Sequence, residues 1–212
     1  MSYPIADIFF SLQGEGHFVG HPMVFLRMAG CSVRHCHIRQ ECDEAPWRAT
    51  DRLTISQTID RVRALAETGI VCITGGEPTD HDILPLISAL RDARYRVHME
   101  TSGVRNVSGY PLEWLTVSPK LFGFSQTVQK TGHTLKVVVR PEWGAEAWNV
   151  IKGYDVDTDF FHRYLQPLTV DGEAVNLPQV LDMLLNRDGV AGMNGGGRWA
   201  LSTQAHRGWG LK

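Results

Sequence analysis

No stretch of the 212 residues approaches the roughly 20 consecutive apolar residues of a membrane-spanning helix. Positive charge is not in excess either. A formal net charge of −2 lacks the electrostatic footprint of a nucleic-acid or anionic-membrane binder, and the nine histidines add charge only below about pH 6.5. Internal repeats and low-complexity linkers are missing, so one domain over 1–212 is expected. The opening Met1–Asp7 has no basic patch leading into an apolar run, which speaks against a secretory leader and for a reducing cytoplasm. Cysteine is scarce. In such a compartment the four present read as thiols or metal ligands, not disulfides.

What is present has the make-up of an ordinary globular protein, 43% hydrophobic and 21% charged. Ile5–Phe10 and Met23–Met28 read as a strand pair around the glycine-rich turn Gln13-Gly14-Glu15-Gly16. Residues 30–52 read as a polar loop. Thr54 caps a predicted helix with Ile55, Ile59, Val62 and Leu65 on one face, ending at Gly69. Ile70–Thr74 is a buried strand broken by Gly75-Gly76, and Asp80 is the expected cap of a helix through Leu90. Further strands are expected at Arg96–Met99, Trp114–Val117, Thr134–Val139, Phe160–Leu165 and Trp199–Thr203, with helices near Glu142–Ile151 and Pro178–Asn186. Strand–helix alternation argues α/β with a parallel sheet curling toward a barrel, with the chemistry at the carboxyl ends of the strands.

Cys31, Cys36 and Cys42 fall within twelve residues, with His35 and His37 beside them. Clustered thiolates suit zinc or an iron–sulfur cluster, and the C-x4-C-x5-C spacing alone leaves both open. Three thiolates leave a four-iron cluster one ligand short, with an iron free to bind a cofactor unless a histidine closes it. Cys72, inside the apolar strand Ile70-Val71-Cys72-Ile73, reads as packing.

Several separate segments, in order, resemble the 7-carboxy-7-deazaguanine synthases of the radical S-adenosylmethionine superfamily. They are Ile8-Phe9-Phe10-Ser11-Leu12-Gln13-Gly14-Glu15-Gly16, Phe25-Leu26-Arg27-Met28-Ala29-Gly30-Cys31, Thr74-Gly75-Gly76-Glu77-Pro78, Glu100-Thr101-Ser102-Gly103 and Val117-Ser118-Pro119-Lys120. Leu135-Lys136-Val137-Val138, Gln166-Pro167 and Ser202-Thr203-Gln204-Ala205-His206 continue the match toward the C-terminus. The cluster loop departs from the superfamily's usual C-x3-C-x2-C, and the family's Cys-Asp-Thr reads Cys42-Asp43-Glu44.

The resemblance implies a single-domain partial (β/α) barrel of the radical type. It implies a [4Fe-4S] cluster on Cys31, Cys36 and Cys42, and S-adenosylmethionine held by Glu41, Asp43, Gly76, Glu77, Ser118, Pro119, Lys120 and Gln166. It places the substrate, 6-carboxy-5,6,7,8-tetrahydropterin, among Leu12, Gln13, Gly14, Arg27, Thr74, Glu100, His206 and the terminal carboxylate of Lys212. Mg²⁺ falls to Glu44. Hydrogen abstraction at pterin C6, ring contraction and loss of ammonia would give 7-carboxy-7-deazaguanine for queuosine and 7-deazapurine synthesis. An external electron donor such as flavodoxin and a homodimer are implied, with no nucleic-acid or membrane partner. A radical enzyme acting on another heterocycle and a non-catalytic metal-binding relative are the competing expectations.

Overall fold

Leu26, Ile73, Met99 and Leu115 are neighbours in register across four adjacent strands, and all are buried in one apolar core. In a computed structural model the chain is described over residues 1–33, 36–42, 48–120, 127–155, 157–185 and 199–211. A hairpin opens it, β1 (Ser2–Leu12) with β2 (Pro22–Met28), and β3 (Asp51–Thr54) pairs with the other edge of β1. Helix α1 (Ile55–Leu65) follows directly, its start fixed by a capping box between Thr54 and Gln57. Then come β4 (Gly69–Gly75), α2 (Leu84–Asp92), β5 (Tyr95–Thr101), β6 (Trp114–Val117), β7 (Thr131–Val139), α3 (Ala147–Asp155) and β8 (Asp159–Pro167). A small hairpin of β9 (Thr169–Val170) and β10 (Glu173–Ala174), then α4 (Leu177–Leu185), β11 (Trp199–Leu201) and the short α5 (Ala205–Gly208), complete the order.

Among the described residues the main sheet has nine strands in the order β11-β8-β7-β6-β5-β4-β2-β1-β3. Every pair from β2 to β11 is parallel, as the strand–helix alternation predicts. Alternation along each strand sorts residues between two faces. Leu26, Ile73, Met99, Val117, Leu135 and Leu165 belong to the buried core. The opposite face carries Arg27, Thr74, Glu100, Lys136 and Gln166, all lining one cavity. That cavity touches both β1 and β8, which are far apart in the strand order, so the sheet curls around it. Hydrogen bonds complete the curl: Ala205 N–H donates to Gly14 O at 3.0 Å, and Gly16 N–H donates to the Ser202 side-chain Oγ at 3.0 Å.

Two local expectations are corrected. Asp80 does not cap a helix: its carboxylate accepts from Ser32 N at 2.6 Å and Ser32 Oγ at 2.5 Å and pairs with Arg105, while α2 starts later, after Ile83. The helix expected from Glu142 begins as a 3-10 turn over Pro141–Glu146 and becomes α-helical only at Ala147, because Gly144 breaks the helical backbone (φ 45°).

Candidate active site

At the carboxyl ends of the parallel strands lies a cavity of about 190 Å³. Its lining includes Cys31, Cys36, Cys42 and Glu41, together with Thr74, Gly76, Glu100, Ser118, Lys120 and Gln166. Leu12, Gln13, Gly14, Arg27 and His206 also line it. Of the site residues expected from sequence, the described ones that do not line the cavity are Glu77 and Pro119. Asp43, Glu44 and Lys212, like His35, lie outside the described residues.

None of the three loop cysteines is joined in a disulfide among the described residues, and all are partly exposed. Burial pushes the Cys31 thiol up, aided by the carboxylates of Glu77 and Asp80. Among the described residues no three His, Cys, Asp or Glu side chains stand close enough to hold a metal ion. The thiols therefore share the cavity without forming a closed ligand set. Three soft donors beside one cavity fit a thiolate-ligated cluster, and the cradle next to them fits a cofactor.

That cradle is the turn after β4. Gly76 N–H donates to Met28 O at 3.1 Å and Glu77 N–H to Gly30 O at 3.0 Å, so the turn lies flat on the approach to Cys31. A Cβ on Gly76 would overlap the Gly30 carbonyl and crowd the Cys31 Cβ. Glu77 faces away, into the protein. Its carboxylate accepts from Thr79 N (3.1 Å), Thr79 Oγ1 (2.7 Å), Thr101 Oγ1 (2.6 Å), Ser102 N (2.9 Å) and Ser102 Oγ. The expected carboxylate for a cofactor ammonium is thus a buried brace for the turn. Lys120 remains at the wall, its Nζ donating to Ser118 Oγ at 2.9 Å.

The floor is polar. Gln13 Nε2 donates to Glu100 Oε1 at 2.9 Å, presenting an amide and a carboxylate side by side. Arg27 stacks over the Phe9 ring at 5.1 Å, which orients its planar fork. His206 packs so tightly on Gly14 that any Cβ there would collide with its ring. Sequence reading missed Glu15 and Lys136 as cavity residues, although both stand inside matching segments. The usable signal was the period-2 alternation of β7, which puts Lys136 and Val138 on one face.

Glu41 lines the cavity, but its carboxylate is held by Arg140 through Nη1 at 3.0 Å and Nη2 at 3.3 Å. The same guanidinium bonds His37 O and Glu142. His37 N–H donates to Lys120 O at 2.7 Å, and its ring is held to a pKa of about 4 by burial with Lys120 and Arg140 close by.

No protein-family model matches the chain. It is 37% identical over 140 residues to 7-carboxy-7-deazaguanine synthase of Synechocystis, covering 66% of either chain. It is also 37% identical over 139 residues to the enzyme of that name from Escherichia coli, covering 57% of this chain and 62% of that one. In these two matches the chain spans slightly less than two thirds of the relative's length. The Bradyrhizobium diazoefficiens protein of the same name aligns end to end at 30% identity, covering 100% of each chain. In three dimensions the chain is similar to the crystal structure of QueE from Escherichia coli, with a TM-score of 0.70, 26% identity, and 97% and 95% of the two chains covered.

Proposed function

The chain belongs to the 7-carboxy-7-deazaguanine synthase family, and on that premise we propose that it converts 6-carboxy-5,6,7,8-tetrahydropterin to 7-carboxy-7-deazaguanine with loss of ammonia, in queuosine and 7-deazapurine synthesis. One observation carries the reading to this chain: three cysteines and the Gln13–Glu100 pair line the same cavity.

In this reading Cys31, Cys36 and Cys42 hold a [4Fe-4S] cluster, and Gly76, Ser118, Lys120 and Gln166 hold S-adenosylmethionine. When bound, these groups would supply one-electron radical chemistry toward the substrate. The protein's own work is orientation and exclusion of water. Glu100 accepts from the N–H edge of the flat heterocycle and Gln13 pairs beside it. Arg27 takes the substrate carboxylate in a planar fork. His206, pressed on Gly14, closes the side of the pocket. The reaction releases one ammonia with no net oxidation, so no stoichiometric oxidant is required. Asp43 at the cofactor, Mg²⁺ on Glu44, the Lys212 carboxylate on the substrate, an external one-electron donor such as flavodoxin, a homodimer and a cytoplasmic setting belong to the same reading. Among the described residues no helix is long and apolar enough to cross a membrane.

The test is turnover by anaerobically reconstituted protein, with two cysteine variants as controls. Conversion of the pterin is expected, with the brown cluster chromophore lost in Cys36→Ala and kept in Cys72→Ala. Cofactor cleavage without pterin conversion would assign a different heterocycle. One zinc per chain with neither iron nor sulfide would remove the radical reading altogether.

A further inference from the structure

Beneath the cavity lies an ion pair that the reaction as described does not use. Lys136, on β7, is buried, with its side chain 6% exposed, and its ammonium pairs with Glu15, whose side chain is 13% exposed. From Glu15 the bonding runs in two directions. Its backbone N–H donates to Gln13 Oε1 at 3.0 Å, which turns Gln13 Nε2 toward Glu100 at 2.9 Å. Its second carboxylate oxygen accepts from Gln204 Nε2 at 2.9 Å, two residues before His206. Gln13, Glu15, Glu100 and Lys136 line both the large cavity and a small chamber of about 20 Å³ below it, walled by His17, Phe18, His98 and Trp114. These four polar side chains form a partition between the large cavity and an aromatic base.

We propose that Lys136 is a positioning residue for substrate recognition: through Glu15 it fixes both the Gln13–Glu100 edge and the C-terminal segment that carries His206. The inference rests on the proposed function for the identity of the substrate. A neutral residue at 136 would leave Glu15 as a buried charge without its cation, which favours protonation and rotation of that carboxyl. Burial alone would raise the Glu15 pKa; the Lys136 charge outweighs it and holds the carboxyl at about 2. Glu15 and Glu100 in turn push Lys136 up, against the effect of burial. The other titratable groups around the pair are Cys72, Lys120, His17 and His98. An ion pair locked in both directions transfers no proton at neutral pH, so the pair shapes the pocket and leaves the chemistry to other groups.

The test compares wild type with Lys136→Met, Lys136→Arg and the double variant Lys136→Met/Glu15→Gln. Lys136→Met is expected to raise KM for the pterin about 10- to 100-fold near neutral pH, with a smaller change in kcat. Lys136→Arg should recover part of the loss, and the double variant should recover part of it. An unchanged KM in Lys136→Met, or a deficit that the double variant leaves in full at every pH, overturns the proposal; the latter means that Lys136 itself touches substrate. Hydrogen exchange of residues 202–211 without substrate supplies a separate readout. Faster exchange in Lys136→Met, relieved in the double variant, supports the brace, and unaltered exchange overturns it. If wild type fails to convert the pterin, the proposed function falls, and the exchange measurement still decides the brace.

Discussion

Glu77 is a fully buried carboxylate solvated by five hydrogen bonds from Thr79, Thr101 and Ser102. Both oxygens are acceptors there, so Glu77→Gln turns an amide NH₂ toward hydroxyl and backbone donors. Hydrogen bonds to a charged group contribute about 1.5–3 kcal/mol each. The substitution is expected to lower unfolding stability by about 2–3 kcal/mol, read as a shift of the urea midpoint without a change in slope. Weaker cofactor binding at unchanged stability would instead make Glu77 a ligand. Residue type and spacing made the Thr74–Pro78 segment legible as a tight turn, and Thr74, Gly75 and Gly76 line the cavity. They could not say which way Glu77 faces, because that depends on Thr101 and Ser102, more than twenty residues downstream. Arg27, Gln13 and Gly76 were legible as cavity residues for the opposite reason: their place follows from where a strand or turn leaves them.

Arg140 operates on an element. Standing just past β7, it clamps Glu41 and the His37 carbonyl, and so ties residues 36–42 to the sheet. Both partners of the Arg140–Glu41 pair are 18% exposed, and the contact is a two-pronged fork, a geometry in which an ion pair contributes more than at an open surface. Arg140→Ala is expected to speed iron loss to a chelator about tenfold, with substrate KM little altered in the freshly reconstituted enzyme. Arg140→Lys should not restore retention, since a single ammonium cannot make the fork. Iron loss at the wild-type rate would show the loop to be held by its cysteines alone. At this scale the regular elements were legible from periodicity, including α1 with its Thr54 cap and β6 over Trp114–Val117. The short strand β3 and the late start of α2 were not, because pairing with β1 and the Ser32–Asp80 contacts decide them.

For the whole molecule, acid acts on the base of the curled sheet's interior. At the base, His17, His133 and His162 stack with Trp114, and Phe18 packs on His98. Burial, with Arg96 nearby, holds His98 at a pKa of about 4 against an ordinary 6.5. Its folded pKa is depressed, so between those values the unfolded chain binds more protons than the folded one. The stability it supports is complete above about pH 6.5 and declines as pH falls toward 4. His17 and His133 are displaced the same way, chiefly by burial. Melting temperature is therefore expected to drop by roughly 5 °C or more from pH 7 to pH 5, and His98→Phe should flatten part of that slope. A melting temperature indifferent to pH over this range, or a slope unaffected by His98→Phe, would refute the assignment.

The sequence by itself determined the parallel α/β architecture, the cysteine loop and the family, since these rest on periodicity, residue type and spacing along the chain. Tertiary structure alone decided that Glu77 braces the turn from inside, that Arg140 clamps Glu41, and that Lys136 and Glu15 meet beneath the cavity from positions 121 residues apart. Each depends on which side chains the curl of the sheet brings together, and burial then sets their charge. A linear pattern records which groups are available; the field and solvation that give them their roles arise only when the sheet closes around them.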